Sequence, residues 1–318
     1  MSPLWSLAGG FALAFALGPV LLPLLRRLRL GQTVREVGPQ SHLAKTGTPT
    51  MGGLLFLVAA TVAAAFFGPR DDMLWAAIAF TWGNALIGFA DDFVKARLHR
   101  PLGVRARTKL GFGILLGLGL GLAALGPLGL GTALRIPFTS LALQLSPVLF
   151  VAVVVATGVA TTNAVNLSDG LDGLAGGLGL IVAMLFADLA ALEGNFPLAT
   201  FCLALAGALG GFLYYNLHPA RVFMGDVGSF GLGAALAAAA VMLRLELVLL
   251  VAGLVFVAET LSVVVQVFWF RLTGRRLLRM SPLHHHMELS GLPEQRVVYR
   301  LWLFGLLSAA LAYIAFLV

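Results

Sequence analysis

Ten runs of apolar residues divide the chain, at about 4–25, 51–68, 73–92, 109–126, 145–165, 174–191, 197–215, 228–243, 246–270 and 301–318. A helix needs about 20 such residues to cross a bilayer. Lipid offers the backbone no hydrogen-bonding partners, so a segment of this length closes its own bonds as a helix. The pattern predicts an all-α, polytopic integral membrane protein of about ten transmembrane helices, folded as a single domain over 1–318. The first run has no basic leader and is followed by Arg26, Arg27 and Arg29. It therefore reads as a retained helix with a basic stop, not as a cleaved signal.

Polar positions between the runs then decide orientation. Eighteen of the 21 Lys and Arg fall in one alternating set of loops, leaving Arg70, Arg135 and Arg244 for the other set. Basic loops stay in the cytoplasm. Both termini are accordingly expected on the extracytoplasmic side, with the loops at 26–50, 93–109, 163–173, 216–228 and 271–300 on the cytoplasmic face.

Composition agrees with this picture. The chain is 59% hydrophobic and 11% charged, against about 25% charged in a soluble domain. The net charge of +7 is largely a by-product of topology, although the same loops would attract phosphates and anionic lipid headgroups. Cys202 is the only cysteine, which excludes an internal disulfide framework. Among the 38 glycines, Gly113, Gly117 and Gly121 recur at every fourth position and predict a close helix-packing face. No P-loop, dinucleotide fingerprint or nucleophile elbow is present, and nothing resembles a nucleic-acid-binding fold.

Acids are costly at a membrane, so their positions carry more information than their number. Asp91 and Asp92 close the third run, followed by Lys95. Carboxylates at a helix C-terminus oppose its dipole. They call for either a divalent cation such as Mg²⁺ or ion pairs with the basic loop. After the fifth run, Asn163, Asn166, Asp169 and Asp172 recur every three residues, between turn glycines and without a neighbouring Lys or Arg. A helical or 3₁₀ stretch would set them on one wall, whereas capping and turn formation would use at most one acid. Asp226 lies between Gly225 and Gly228 at the entry to the eighth run, as an N-cap or as an anion or metal site. The triplet His284, His285 and His286 lies in the last basic loop. Three consecutive side chains rarely converge on one zinc, so phosphate binding or proton transfer is the stronger expectation. Of the three lysines, Lys45 precedes a glycine-bearing helix entry and Lys95 follows the Asp pair, where a compact ammonium suits a ligand.

These segments carry a family resemblance. Residues 47–53 (GTPTMGG), Asp91-Asp92 with Lys95, 163–173 (NAVNLSDGLDG), 223–229 (FMGDVGS) and 282–288 (PLHHHME) resemble the polyprenyl-phosphate N-acetylhexosamine-1-phosphate transferase superfamily. The histidine triplet is similar to that of the branch acting on UDP-N-acetylmuramoyl-pentapeptide, although Met287 stands where an aromatic residue is expected.

The resemblance implies Mg²⁺-dependent attack by undecaprenyl phosphate on the β-phosphate of UDP-N-acetylmuramoyl-pentapeptide, at the cytoplasmic face of the bacterial inner membrane. It implies Asp91, Asp92, Asp226 and His284 as catalytic residues, with Asp226, Asn166 and Asp92 as metal contacts, Asp91 interacting with or deprotonating the lipid phosphate, and Lys95, Lys109 and His284 toward the pyrophosphate. Lys45, Thr50, Asn163, Asp169, Asp172, Asn216 and Phe223 are implied as substrate contacts, with Gln266 and His285 lining the same cavity. A homodimer is expected on the same basis. The rival reading, a secondary transporter, would place its polar site near the bilayer midplane at broken helices, whereas these acids lie at helix ends.

Overall fold

The computed structural model describes residues 3–27, 47–97 and 102–318. They form twelve helices and one hairpin: α1 (Leu4–Arg27), α2 (Gly53–Phe67), α3 (Asp72–Arg97), α4 (Ala106–Leu125), β1 (Ala133–Arg135), β2 (Ala142–Gln144), α5 (Pro147–Ser168), α6 (Leu174–Leu192), α7 (Phe196–Asn216), α8 (Gly225–Leu243), α9 (Glu246–Ala252), α10 (Leu254–Thr273), α11 (Leu283–Leu289) and α12 (Glu294–Leu317). Among the described residues, nine helices are long and apolar enough to cross a membrane, and α2 is a shorter apolar helix of 15 residues.

Local chemistry starts these helices where the sequence punctuates them. Ser146 accepts the Leu149 amide at 3.3 Å ahead of Pro147, and Asn195 accepts the Leu198 amide at 3.2 Å ahead of Pro197. A side-chain oxygen thereby satisfies an otherwise orphaned N–H while proline takes a position that needs none.

Helix α8 stands at the centre, buried along nearly its whole length. It is built from Gly and Ala, which let neighbouring backbones come close in the absence of a hydrophobic drive between helices. A Cβ on Gly233 would lie 2.6 Å from the Thr162 Cα of α5, and one on Gly53 of α2 would overlap Gly228. The stripe in α4 behaves as expected. Cβ atoms on Gly113, Gly117 and Gly121 would meet Val159, Val155 and Val151 of α5 at 3.5, 2.9 and 3.1 Å.

Several boundaries differ from the hydropathy pattern. The run 246–270 is not one helix: it breaks at Gly253, whose N–H bonds to Leu249 O, so α9 ends at Ala252 and α10 begins at Leu254. The run 301–318 begins seven residues early, at Glu294, because Arg296 and Arg300 lower the hydropathy of a first stretch that is nonetheless helical. At the end of α5 the helix continues through Asn163 and Asn166 to Ser168, so two of the polar residues expected in a loop occupy its last turns. The antiparallel β1–β2 pair, in register Leu134 to Leu143, has no counterpart in the expected elements. Its flank is held by Arg244, which donates to the Leu130 and Ala133 carbonyls, and by a two-pronged bond from Arg135 to Glu193 at 2.6 and 2.8 Å.

Candidate active site

The end of α3, the end of α5 and the start of α8 meet at one place. A Cβ on Gly88 would overlap the Asp226 carbonyl, so α3 lies directly against the first turn of α8 and carries Asp91 and Asp92 with it. Asp92, buried, accepts the Val227 amide at 3.0 Å. Helix α3 runs on past Asp92 to Arg97, so the two acids lie before its last turn and not at its end as expected; Asp92 gains the positive N-terminus of α8 as a partner. Gly225, at φ +74, leaves room for this: a Cβ there would lie 2.6 Å from Asp92 Oδ2 and 2.7 Å from the hydroxyl of Thr50, which is also buried.

Around Asp226 the charges converge. Its Oδ2 lies 3.1 Å from Lys95 Nζ and 3.4 Å from Lys109 Nζ. Asn166 Nδ2 donates to Asp226 Oδ1 at 3.1 Å and to Ser229 Oγ at 2.9 Å. Asp91 sits behind, fully buried, 2.5 Å from Lys95 and 3.4 Å from Lys109, and it accepts the Val104 amide at 2.7 Å. Asp226 is 16% exposed where Asp91 is closed, so Asp226 is the carboxylate that a ligand meets first. Asp91 holds both lysines from within. Carboxylate and amide oxygens are ligand types that suit a hard divalent cation, but Asn166 here presents its Nδ2 to Asp226, so its oxygen would have to turn to join Asp226 and Asp92 around one.

The second polar group divides. Asn163 is exposed and donates to Val159 O of its own helix at 2.8 Å, so it does not join the wall. Asp169 is partly buried at the end of α5, and removal from water, reinforced by the charges of Asp226, Asp92 and Asp172, raises it well above the usual carboxylate range. Asp172 is buried and works as a stitch: its Oδ2 accepts the Ala220 amide at 3.0 Å and faces His218 Nδ1 at 3.2 Å, while its own N–H donates to Glu294 Oε1 at 2.8 Å. Ligand atoms of Asp172, His218 and Glu294 all lie within 4.8 Å of one another. Asn216, buried, accepts the Gly173 amide at 3.1 Å and donates to Val222 O at 2.9 Å. Phe223, half-buried, donates its backbone N–H to Pro49 O at 2.8 Å, tying the 49–53 entry to the start of α8.

The triplet occupies α11, and its three rings take three different partners. His284 Nδ1 lies 3.1 Å from Glu259 Oε2, His285 Nδ1 lies 3.0 Å from Glu288 Oε2, and His286 Nδ1 accepts the Arg279 amide at 3.2 Å. His284 is completely buried against Gly170. Gln266 accepts the Leu277 and Leu278 amides at 3.1 and 2.9 Å and donates to Leu278 O at 3.1 Å, so it anchors the segment leading to α11. Lys45 lies outside the described residues. Ser229, His218, Glu259 and Glu294 join these networks without having been singled out as site residues. Glu259 alone had a clear signal, a carboxylate inside an apolar run.

The class of protein is shown by comparison with known families. Residues 74–244, more than half of the chain, match glycosyl transferase family 4. Residues 45–57 match the phospho-N-acetylmuramoyl-pentapeptide-transferase signature 1. The chain is 55% identical over 296 residues to the phospho-N-acetylmuramoyl-pentapeptide-transferase of Moorella thermoacetica, covering 92% of each. It is 48% identical over 310 residues to that of Symbiobacterium thermophilum, covering 95% of this chain and 92% of the relative. It is also 48% identical over 327 residues to that of Desulforudis audaxviator, at 98% and 97% coverage. The chain belongs to the phospho-N-acetylmuramoyl-pentapeptide-transferase family.

Proposed function

We propose that this protein transfers phospho-N-acetylmuramoyl-pentapeptide from its UDP conjugate to undecaprenyl phosphate, forming lipid I and releasing UMP in peptidoglycan synthesis. The carrying observation is the convergence of Lys95, Lys109 and Asn166 on the one accessible carboxylate, Asp226. A lipid-phosphate oxygen bonds to the β-phosphorus, and the bond from that phosphorus to the bridging oxygen breaks, so UMP departs with the bridging oxygen. Such a transfer requires positioning and charge neutralisation more than covalent chemistry from the protein.

In this reading Asp226, Asn166 and Asp92 hold Mg²⁺, which supplies neutralisation of phosphate charge when bound. Lys95 and Lys109, released from Asp226, hold the pyrophosphate oxygens, and Asp91 keeps both ammonium groups aimed at the site. The Asp169–Gly173 turn, Asn216 and Phe223 frame the nucleoside side, with Thr50 and Lys45 on the 45–53 entry. The basic-loop asymmetry favours a multi-pass protein of the bacterial cytoplasmic membrane with this site facing the cytoplasm. The family reading also favours a homodimer.

The deciding experiment measures UMP release by purified protein in detergent, given UDP-N-acetylmuramoyl-pentapeptide, undecaprenyl phosphate and Mg²⁺. Release that depends on both substrates, stops on chelation and returns with added Mg²⁺ supports the reading. Equal release from UDP-N-acetylglucosamine would redirect it to another branch of the superfamily, and no release would remove it.

A further inference from the structure

A buried carboxylate in the membrane part of α10 has no place in the scheme above. Glu259 is completely buried, as is His284. One oxygen of Glu259, Oε2, faces both the backbone N–H of His284 at 3.3 Å and its ring Nδ1 at 3.1 Å. Two contacts from one residue to one oxygen fix the first turn of α11 and the rotation of the ring together. An ionised carboxylate can only accept, so a neutral imidazole there carries its proton on Nδ1 and leaves Nε2 as a lone pair. That Nε2 has no partner among the described residues, and neither has Glu259 Oε1. A Cβ on Gly170 would overlap Nε2, so the ring presses edge-on against the turn that begins at Asp169. Unpaired buried polar atoms are costly and persist where function or positioning requires them.

We propose that Glu259 is a positioning residue for the transfer reaction: it locks His284 with the proton on Nδ1 and addresses Nε2 to the Asp169–Gly170 turn of the site. The logic is that of a carboxylate orienting a histidine by the nitrogen that does not face the reaction. The proposal rests on the transferase reading for its kinetic consequence and on geometry alone for the tautomer.

Two measurements test it. In protein labelled with ¹⁵N-histidine and held in lipid nanodiscs, His284→Gln identifies the His284 resonances. The wild type is expected to show an unprotonated Nε2 and a protonated Nδ1. Glu259→Leu is expected to move His284 toward the Nε2–H form, and Glu259→Gln, which keeps an acceptor, to recover most of the Nδ1–H form. In the UMP assay, Glu259→Leu should lower kcat by at least about tenfold, with the KM for the UDP substrate held within about twofold and Glu259→Gln intermediate. A wild-type spectrum with the proton on Nε2, or one that Glu259→Leu leaves unchanged, overturns the proposal. So does an unaltered kcat in a variant whose tautomer has shifted. Wild-type protein that releases no UMP would instead remove the transferase reading, while the spectrum would still decide whether Glu259 sets the ring.

Discussion

Lys95 and Asp226 are 131 residues apart in the chain and 3.1 Å apart in the fold. The same ammonium group is held by Asp91, one turn back on its own helix, at 2.5 Å. Lys95 therefore bridges a closed carboxylate and an accessible one, and Lys109 repeats the arrangement from α4. Burying one charge costs several kcal/mol unless it is paired. The cluster meets that cost internally and leaves Asp226 as the member whose partners a phosphate and a cation can exchange.

Asp226→Asn tests that exchange. The substitution keeps the volume and a hydrogen-bonding side chain beside Asn166 and Ser229, and both lysines keep Asp91. The variant should therefore remain folded by size-exclusion chromatography while UMP release falls roughly 100-fold or more. Activity above about a tenth of wild type would take Asp226 out of the central role, since loss of one transition-state contact in such a site costs more than that.

Glycine contacts make a second, structural prediction. Gly88→Ala forces a methyl group onto the Asp226 carbonyl, where backbone cannot swing aside, whereas a Cβ at Gly119 of α4 meets nothing within 4 Å. Overpacking of this kind costs about 1–3 kcal/mol. Gly88→Ala should lower the thermal midpoint in detergent and lose activity by displacing the start of α8. Gly119→Ala should be neutral or stabilising, since alanine is favoured over glycine in a helix by about 1 kcal/mol. Equal midpoints for the two variants would show that α3 and α8 are not locked at this point.

How much of this was legible in the sequence follows from which signals are local. Apolar runs and the acids at their ends are local, and they placed the bundle, Asp91, Asp92, Asn166 and Asp226. The break at Gly253 was not, because one glycine in an apolar run reads equally as a packing contact. The start of α12 was hidden by Arg296 and Arg300, whose charge masks helical periodicity. Partner choice was the larger loss. Asn163 and Asn166 share a spacing, but one faces outward and bonds its own helix while the other reaches Asp226 across 60 residues. Gln266 and Asp172 also bind backbone N–H groups of neighbouring loops, contacts that depend on where those loops end up and that no local signal carries.

The hairpin flank makes a pH prediction. Hydrogen bonding to Arg135 lowers the Glu193 carboxyl below its usual range, and the pair also raises Arg135. A depressed carboxylate contributes stability that is fully present above its unfolded value and is lost as pH falls through its folded value. Because the pair is largely solvent-exposed, the contribution is under about 1 kcal/mol. Glu193→Gln should therefore melt slightly below wild type at neutral pH, with the gap closing toward about pH 3. A gap that stays constant over that range would assign the effect to shape and not to charge.

Sidedness is the last expectation, and the chain supplies a quiet background for testing it. Cys202, the only cysteine, is 1% exposed within α7 and should not react with impermeant thiol reagents. Ala106, next to Arg105 at the start of α4, is exposed and belongs to the basic set of loops. Ala106→Cys should label in inverted vesicles and stay silent in intact cells, while a cysteine at Thr139, exposed in the β1–β2 turn on the arginine-poor side, should give the reverse. The paired design separates orientation from accessibility, because a buried or misfolded position fails in both preparations whereas an inverted topology exchanges the two results. Such an exchange would place the Asp226 cluster on the extracytoplasmic side, out of reach of a UDP-linked substrate made in the cytoplasm, and would overturn the proposed reaction together with the topology.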